Sequence, residues 1–374
     1  MVKEKESKKI IVLSAHTPSL FWFRMDMMAN FNACGYKVVA AGNENEAKWS
    51  QKFAGNGIKY RQIVVSRNGT NPINDLKTLR SVKKLFKEEK PTKVFLYNAK
   101  AVIYGGITAS KLHIEYYPLI AGLGSIFLTA GLKNKILKAI LCWDYKKALK
   151  KSKYVFFQNR DDSDFFVSRK IVKQEKIVYI HGSGVNLEKF KQEPLPLENA
   201  FLFIGRLIKD KGVCEYLEAC RFIKNKYRDV RCYLVGPFDS NPSALRREEL
   251  QKYIDEGVIE YFGEQEDVRP YLKKCRVFLL PSYREGTPKA ILEAMATGRA
   301  IITTDAPGCK ETVTDGLNGY LVPIKNVAAL VEKMSALIED ASIAERFGQE
   351  SRRLAEEKFA VNLVNETICK TMNL

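Results

Sequence analysis

Histidine is scarce and cysteine carries no pattern in this chain. His16, His113 and His181 lie far apart, and the eight cysteines form no C-x-x-C pair. Such spacing suggests neither a zinc site nor a disulfide frame, and points to a reduced, metal-poor cytoplasmic protein. No apolar run approaches the ~18–20 residues of a membrane span. The apolar start Ile10-Ile11-Val12-Leu13 is too short for a signal peptide and stops at Ser14-Ala15-His16. Internal repeats, low-complexity tracts and nucleic-acid-binding motifs are lacking as well. What is present is ordinary globular material: 374 residues, 46% hydrophobic and 28% charged, enough for two domains with separate cores.

Acids are thin where lysines are dense. Residues 1–180 hold 33 Lys+Arg against 14 Asp+Glu, and residues 181–374 hold 28 against 29, so the net charge of +18 belongs to the first half. A one-sided basic face calls for an anionic partner, here anionic lipid or a phosphorylated acceptor in preference to nucleic acid. From Lys133 to Lys153 there are eight lysines and one acid, Asp144. Ile136, Ile140 and Trp143 follow helical spacing, and Leu137, Leu141, Tyr145 and Leu149 widen the stripe. This reads as an interfacial helix, with Trp143 and leucines below and Lys135, Lys138, Lys146 and Lys147 at headgroup level. The plainer alternative is a core-facing helix with a solvated lysine face.

Strand and helix signals alternate through both halves. Strands are expected at 10–14, 36–41, 60–65, 94–97, 115–120, 154–158 and 176–180, with helices at 24–34, 49–55 and 74–89. A second series has strands at 201–204, 230–235, 258–262, 277–280 and 300–303, with helices at 212–226, 244–255, 267–274 and 328–339. The expected class is α/β, with two doubly wound, Rossmann-like domains facing a central cleft. The boundaries read as 1–185, a Pro194- and Pro196-bearing linker at 186–199, a second domain at 200–355, and a tail at 356–374. That tail is the end of one last helix, 351–374, which is expected to return to the first domain.

Chemistry concentrates in two motifs of the second half. Pro281-Ser282-Tyr283-Arg284-Glu285-Gly286-Thr287-Pro288 follows a buried strand, and Thr287-Pro288 reads as the N-cap and first position of a helix that stops at Gly298. Glu285 then stands over the strand end and Glu293 one to two turns into the helix. The Gly286 and Thr287 N–H groups are expected to face the same crevice, where a diphosphate would be welcome. Such an array can hold a sugar nucleotide, although Glu293 can equally pair with Lys289 at i, i+4. The second motif, Gly205-Arg206-Leu207-Ile208-Lys209-Asp210-Lys211-Gly212, opens a helix after another strand. Arg206 offers a planar fork for phosphate oxygens and Lys211 a compact charge. Taken alone, either motif also fits an ordinary surface loop.

Together the two motifs resemble those of family 4 retaining glycosyltransferases of the GT-B fold. Asp315-Gly316-Leu317-Asn318-Gly319-Tyr320-Leu321-Val322 and Gly182-Ser183-Gly184-Val185-Asn186 are similar to further family turns, and the likeness covers nearly the whole chain. The resemblance implies that Arg206, Lys211 and Glu285 are catalytic. The donor would be held by Gly205, Arg206, Lys211, Glu285, Gly286, Thr287 and Glu293, the last on the ribose. It also implies no cofactor, no bound metal and retention of anomeric configuration. Departures exist: Gly122-Leu123-Gly124-Ser125-Ile126-Phe127 replaces a His-Asp of many relatives, and His16-Thr17-Pro18-Ser19-Leu20-Phe21-Trp22-Phe23-Arg24 is not glycine-rich. Both replacements resemble the PglA-like bacterial N-acetylgalactosaminyl- and galactosyltransferases, which extend polyprenyl-diphosphate-linked sugars.

On that resemblance a UDP-sugar is the donor, an undecaprenyl-diphosphate-linked saccharide the acceptor, and the inner membrane face the location. His16, Arg24, Lys100, Gly122 and Gly124 are the acceptor candidates. Asp162-Ser163-Asp164 spells a D-x-D, but its place after a strand favours helix capping over metal binding. The alternatives are a sugar-nucleotide 2-epimerase of the same architecture and a non-catalytic basic scaffold or nucleic-acid binder.

Overall fold

The computed structural model describes residues 8–66, 72–123, 131–241 and 243–374. Two compact units result, Met1–Ser183 with Val364–Leu374, and Gly184–Leu363.

The first unit is a seven-stranded parallel sheet in the order β3-β2-β1-β4-β5-β6-β7. Its strands are β1 (Lys9–Ser14), β2 (Lys37–Gly42), β3 (Lys59–Gln62), β4 (Lys93–Tyr97), β5 (Glu115–Ile120), β6 (Val155–Phe157) and β7 (Ile177–Tyr179). The near-continuous apolar run of β1 has its explanation here. Ile11 and Leu13 pack on one face of the sheet, and Ile10 and Val12 on the other. Helices cover both faces, and Val364, Ile368 and Met372 of the final helix bury themselves beside Phe31 and Phe95.

The second unit is a six-stranded parallel sheet in the order β10-β9-β8-β11-β12-β13. These are β8 (Ala200–Ile204), β9 (Arg231–Val235), β10 (Glu260–Tyr261), β11 (Val277–Leu280), β12 (Ala300–Thr304) and β13 (Gly319–Val322). One core gathers the strands with the helices Val213–Lys226, Lys289–Ala296 and Val327–Glu339.

Several elements differ from the sequence reading. The first helix starts at Thr17, not Arg24, because Pro18 suits a first turn and His16 takes the extended N-cap conformation. A helix at Ala99–Lys111 lies where none was expected. Its Gly105-Gly106 pair reads as a breaker, yet Gly106 is needed for close packing, since a Cβ there would crowd the Ala148 carbonyl of the neighbouring helix. The last helix is broken. Ala341–Leu354 ends in a wider π turn over Ala355–Phe359, Ala360 pairs with Val185, and Val361–Met372 resumes. Val185 N–H donates to Phe359 O at 2.8 Å, and Val361 N–H to Val185 O at 2.9 Å. The segments entering and leaving the second unit therefore run side by side, and the return to the first unit begins at Val364.

Candidate active site

β8 and β11 are parallel neighbours, so Gly205-Arg206 and Pro281-Ser282 leave the second sheet side by side at its carboxyl edge. The strand order reverses between them, which opens the crevice where ligands of doubly wound sheets bind.

The two loops are tied tightly. Gly212 has φ of 73°, and a Cβ there would run into the Pro281 carbonyl, so only glycine lets the loops close on each other. Tyr283 N–H donates to Asp210 O at 2.9 Å, and Ser282 Oγ lies 3.0 Å from the same oxygen. Glu285 N–H donates to Pro307 O at 2.8 Å, which fixes its turn to the loop after β12. On this frame Lys211 Nζ forms an ion pair with Glu285 Oε1, which also accepts a 2.8 Å hydrogen bond from Ser282 Oγ. Lys211 and Glu285, 74 residues apart in sequence, thus meet side chain to side chain.

Arg206 is paired as well, its Nη1 donating to Asp239 Oδ2 at 2.7 Å. Asp239 belongs to the loop after β9 and was missed in the sequence, where nothing local marks it. Each expected phosphate-binding cation therefore has an acid beside it, so the two pairs carry no net charge. That differs from the bare positive pocket that Arg206 and Lys211 alone suggest. A confined pair of like charges would repel, and the two acids offset this.

Helix Lys289–Ala296 starts after Pro288, which stands at the N-cap, one position beyond the Thr287 that the sequence suggests. Gly286 and Thr287 occupy the turn before it. Glu293 lies in its second turn. Burial pushes the Glu293 carboxyl up to about 7, and Lys289 and Lys189 offset this only in part. The i, i+4 neighbour therefore acts on Glu293 without returning it to the ordinary carboxylate range.

In the first unit His16 joins the ends of β1 and β4. Its N–H donates to Ser14 Oγ at 3.1 Å, and Ser14 in turn hydrogen-bonds Asn98. Arg24 is almost wholly buried, with its guanidinium 5.0 Å above the Tyr97 ring and its Nε enclosed without an acceptor among the described residues. Burial lowers its pKa. Lys100 turns to Asp75 at 3.1 Å and Ser66 at 3.0 Å. Gly122 follows β5 with φ of 101°, while Gly124 lies outside the described residues.

The lysine-rich helix, Leu132–Leu149, has two apolar faces. Tyr145, Ala148 and Leu149 are buried, and Leu141 packs partly against the same core. Leu132, Ile136, Ile140 and Trp143 form a separate exposed row, 50–75% accessible. Lys135, Lys146 and Lys147 are exposed around it, Lys138 is half-buried, and Lys147 Nζ sits 3.2 Å from the Trp143 ring centre. The core-facing and exposed readings each describe one side of this helix. No helix among the described residues is long and apolar enough to cross a membrane.

The D-x-D acids lie in helix Arg160–Ser168, where Asn159 caps by accepting from Asp162 N–H at 2.8 Å and donates back to the Asp162 carboxylate at 3.1 Å. Among the described residues no group of three or more His, Cys, Asp and Glu is placed to hold a metal ion.

With this geometry in hand, likeness to known proteins is informative. The family described as "Glycosyl transferase 4-like" matches residues 9–159, and "Glycosyl transferases group 1" matches residues 198–340. An N,N'-diacetylbacillosaminyl-diphospho-undecaprenol alpha-1,3-N-acetylgalactosaminyltransferase of Campylobacter jejuni is 29% identical over 350 residues, 90% of each chain. A UDP-Gal:alpha-D-GlcNAc-diphosphoundecaprenol alpha-1,3-galactosyltransferase of Escherichia coli is 27% identical over 72% of each chain. Among solved structures, the sucrose-phosphate synthase of Thermosynechococcus elongatus superposes with a TM-score of 0.81 at 17% identity, covering 98% of each chain. Anabaena HepE in complex with UDP and glucose superposes with a TM-score of 0.77 at 16% identity, over 98% of this chain and 99% of that one.

Proposed function

This chain belongs to the glycosyltransferases of the GT-B fold, and from that premise we propose that it moves a hexose or N-acetylhexosamine, GalNAc or Gal foremost, from a UDP-sugar to an undecaprenyl-diphosphate-linked saccharide in bacterial surface-glycan assembly. The second unit takes the donor and the first unit the acceptor. One observation carries the reading: Lys211 and Glu285 converge at the switch point of the second sheet, with Arg206 on the adjoining strand end.

The reaction at such a site is mostly placement and charge stabilisation. The donor diphosphate draws Lys211 and Arg206 to its oxygens, and Glu285, relieved of Lys211, turns to hydroxyls of the donor sugar. Glu293 accepts from the ribose. The bond from the anomeric carbon to the diphosphate breaks, and the acceptor oxygen bonds to that carbon on the same face. The acceptor's proton passes to a departing phosphate oxygen, so configuration is retained and no protein base is needed. Negative charge growing on the diphosphate meets Arg206 and Lys211, which removes the need for a bound metal.

The acceptor's lipid anchor explains the basic first half. The exposed row Leu132, Ile136, Ile140 and Trp143, rimmed by lysines, lies on an anionic inner membrane face and holds the protein there peripherally. His16, Arg24, Lys100 and Gly122 are the acceptor candidates that this reading keeps among the described residues.

A donor screen tests the proposal. Purified protein is given UDP-GalNAc, UDP-Gal, UDP-GlcNAc, UDP-Glc or GDP-Man with a polyprenyl-diphosphate-sugar acceptor, with and without EDTA. UDP release that needs the acceptor and survives EDTA is the expected result. Turnover that stops with EDTA refutes the metal-free mechanism.

A further inference from the structure

Arg206 is 38% exposed along its side chain, whereas its partner Asp239 is 16% exposed and held on every side. The Asp239 loop is fastened to the Arg206 loop along its length. Gly205 N–H donates to Val235 O at 3.0 Å, Leu207 N–H to Pro237 O at 3.0 Å, Lys209 N–H to Ser243 O at 2.8 Å, and Leu245 N–H to Leu207 O at 2.8 Å. Ile208 and Ala244 add an antiparallel bridge. Within the loop, Asp239 Oδ1 accepts from Asn241 N–H at 2.8 Å, and Asn241 Oδ1 accepts from Ser243 N–H at 2.9 Å. The carboxylate is thus a fixed point to which the arginine is tied.

A free arginine loses much rotamer entropy when it docks on a phosphate, and an anchored one has lost it already. Nη1 is the guanidinium nitrogen taken by Asp239, and the guanidinium makes no other hydrogen bond among the described residues. One edge is therefore held and the rest of the fork is left for a ligand.

We propose that Asp239 is a positioning residue for the donor diphosphate: it holds the Arg206 guanidinium by one edge, so that the remaining N–H groups meet the phosphate oxygens in a fixed orientation. This rests on the reading of Arg206 as a phosphate ligand. Asp239 is not displaced when the donor binds. It stays on Nη1 and offsets part of the arginine's charge while fixing its direction.

A double-mutant cycle on the full-length protein tests this, with UDP affinity by calorimetry and donor kinetics as readouts. Asp239→Asn keeps an acceptor for Asn241 N–H, so the loop retains its internal bond. It should raise the UDP dissociation constant and the donor KM about tenfold, with a smaller fall in kcat. In an Arg206→Ala background the same substitution should change neither. An unchanged UDP affinity in Asp239→Asn overturns the proposal, as does tighter binding, which would make Asp239 a competitor. An equal loss in both backgrounds also overturns it, because the loop alone would then be responsible. If Arg206→Ala by itself binds UDP normally, the phosphate role of Arg206 fails first. If Arg206→Ala binds weakly but Asp239→Asn binds normally, only the positioning role fails.

Discussion

Lys211 and Arg206 each face an acid, but in different ways: Lys211 leaves Glu285 when the donor arrives, whereas Arg206 stays on Asp239 and keeps its direction. Arg206→Ala or Lys211→Ala should cost transfer about 2–4 kcal/mol of charge stabilisation, read as a fall in kcat/KM. Near-normal turnover would remove both from the site. Glu293 makes a pH-dependent claim. Its carboxyl is raised to about 7 by burial, so the folded protein holds a proton there that the unfolded chain releases at its ordinary carboxylate pKa. Stability should therefore fall as pH rises from about 4.5 to 7 and level off above, a slope that Glu293→Gln abolishes. An ionised Glu293 is the better ribose acceptor, so UDP-sugar affinity should increase over the same rise in pH. A flat pH profile in the wild type, or an unaltered donor affinity in Glu293→Ala, contradicts the ribose contact. Arg206, Lys211, Glu285 and Glu293 were legible in the sequence because each sits at a fixed offset from a strand end or helix start. Asp239 was not. Its meaning comes from an ion pair spanning 33 residues between two loops, and such a pairing leaves no local pattern.

Helix Leu132–Leu149 shows what periodicity gives and what it merges. The apolar positions except Leu132 were visible in sequence, but one broad stripe was read where there are two faces, one buried and one exposed. Replacing Lys135, Lys146 and Lys147 by Gln should weaken binding to anionic vesicles while leaving the fold intact, since all three are exposed. Trp143→Ser should weaken binding to neutral vesicles too. Unchanged vesicle binding in both variants would leave the exposed row without a membrane role. Helix Ala99–Lys111 was overlooked because its glycine pair mimics a turn while serving close packing.

At the scale of the molecule, the alternation of strand and helix signals was enough for two parallel α/β sheets, whereas helix Ala99–Lys111, the start of the first helix and the break in the last one were not visible in it. The first unit is also stapled electrostatically at the amino edge of its sheet. Glu89, 5% exposed, binds Lys9 at 2.8 Å, Lys59 at 2.7 Å and Arg61 at 2.6 Å. Burial alone would raise its carboxyl, but the bonds from Lys59, Lys9 and Arg61 bring it down to about 2. Its contribution, about 2–3 kcal/mol, is present above the unfolded carboxylate pKa and is lost as pH falls from about 4.5 towards 2. Acid unfolding followed by circular dichroism should show this loss in the wild type. In Glu89→Gln the contribution should be missing already at neutral pH. Equal neutral-pH stability of the two proteins would contradict it.

The most direct measurement follows labelled sugar. Purified protein is mixed with anionic vesicles carrying a polyprenyl-diphosphate-linked saccharide, UDP-[14C]GalNAc or UDP-[14C]Gal, and EDTA, and the label is then partitioned between water and solvent. Label entering the lipid phase only when acceptor is present, and lost in Lys211→Ala, is the expected result. Label that stays in water with every acceptor and donor offered, or that reappears as a changed sugar nucleotide, would contradict transfer to a lipid-linked glycan.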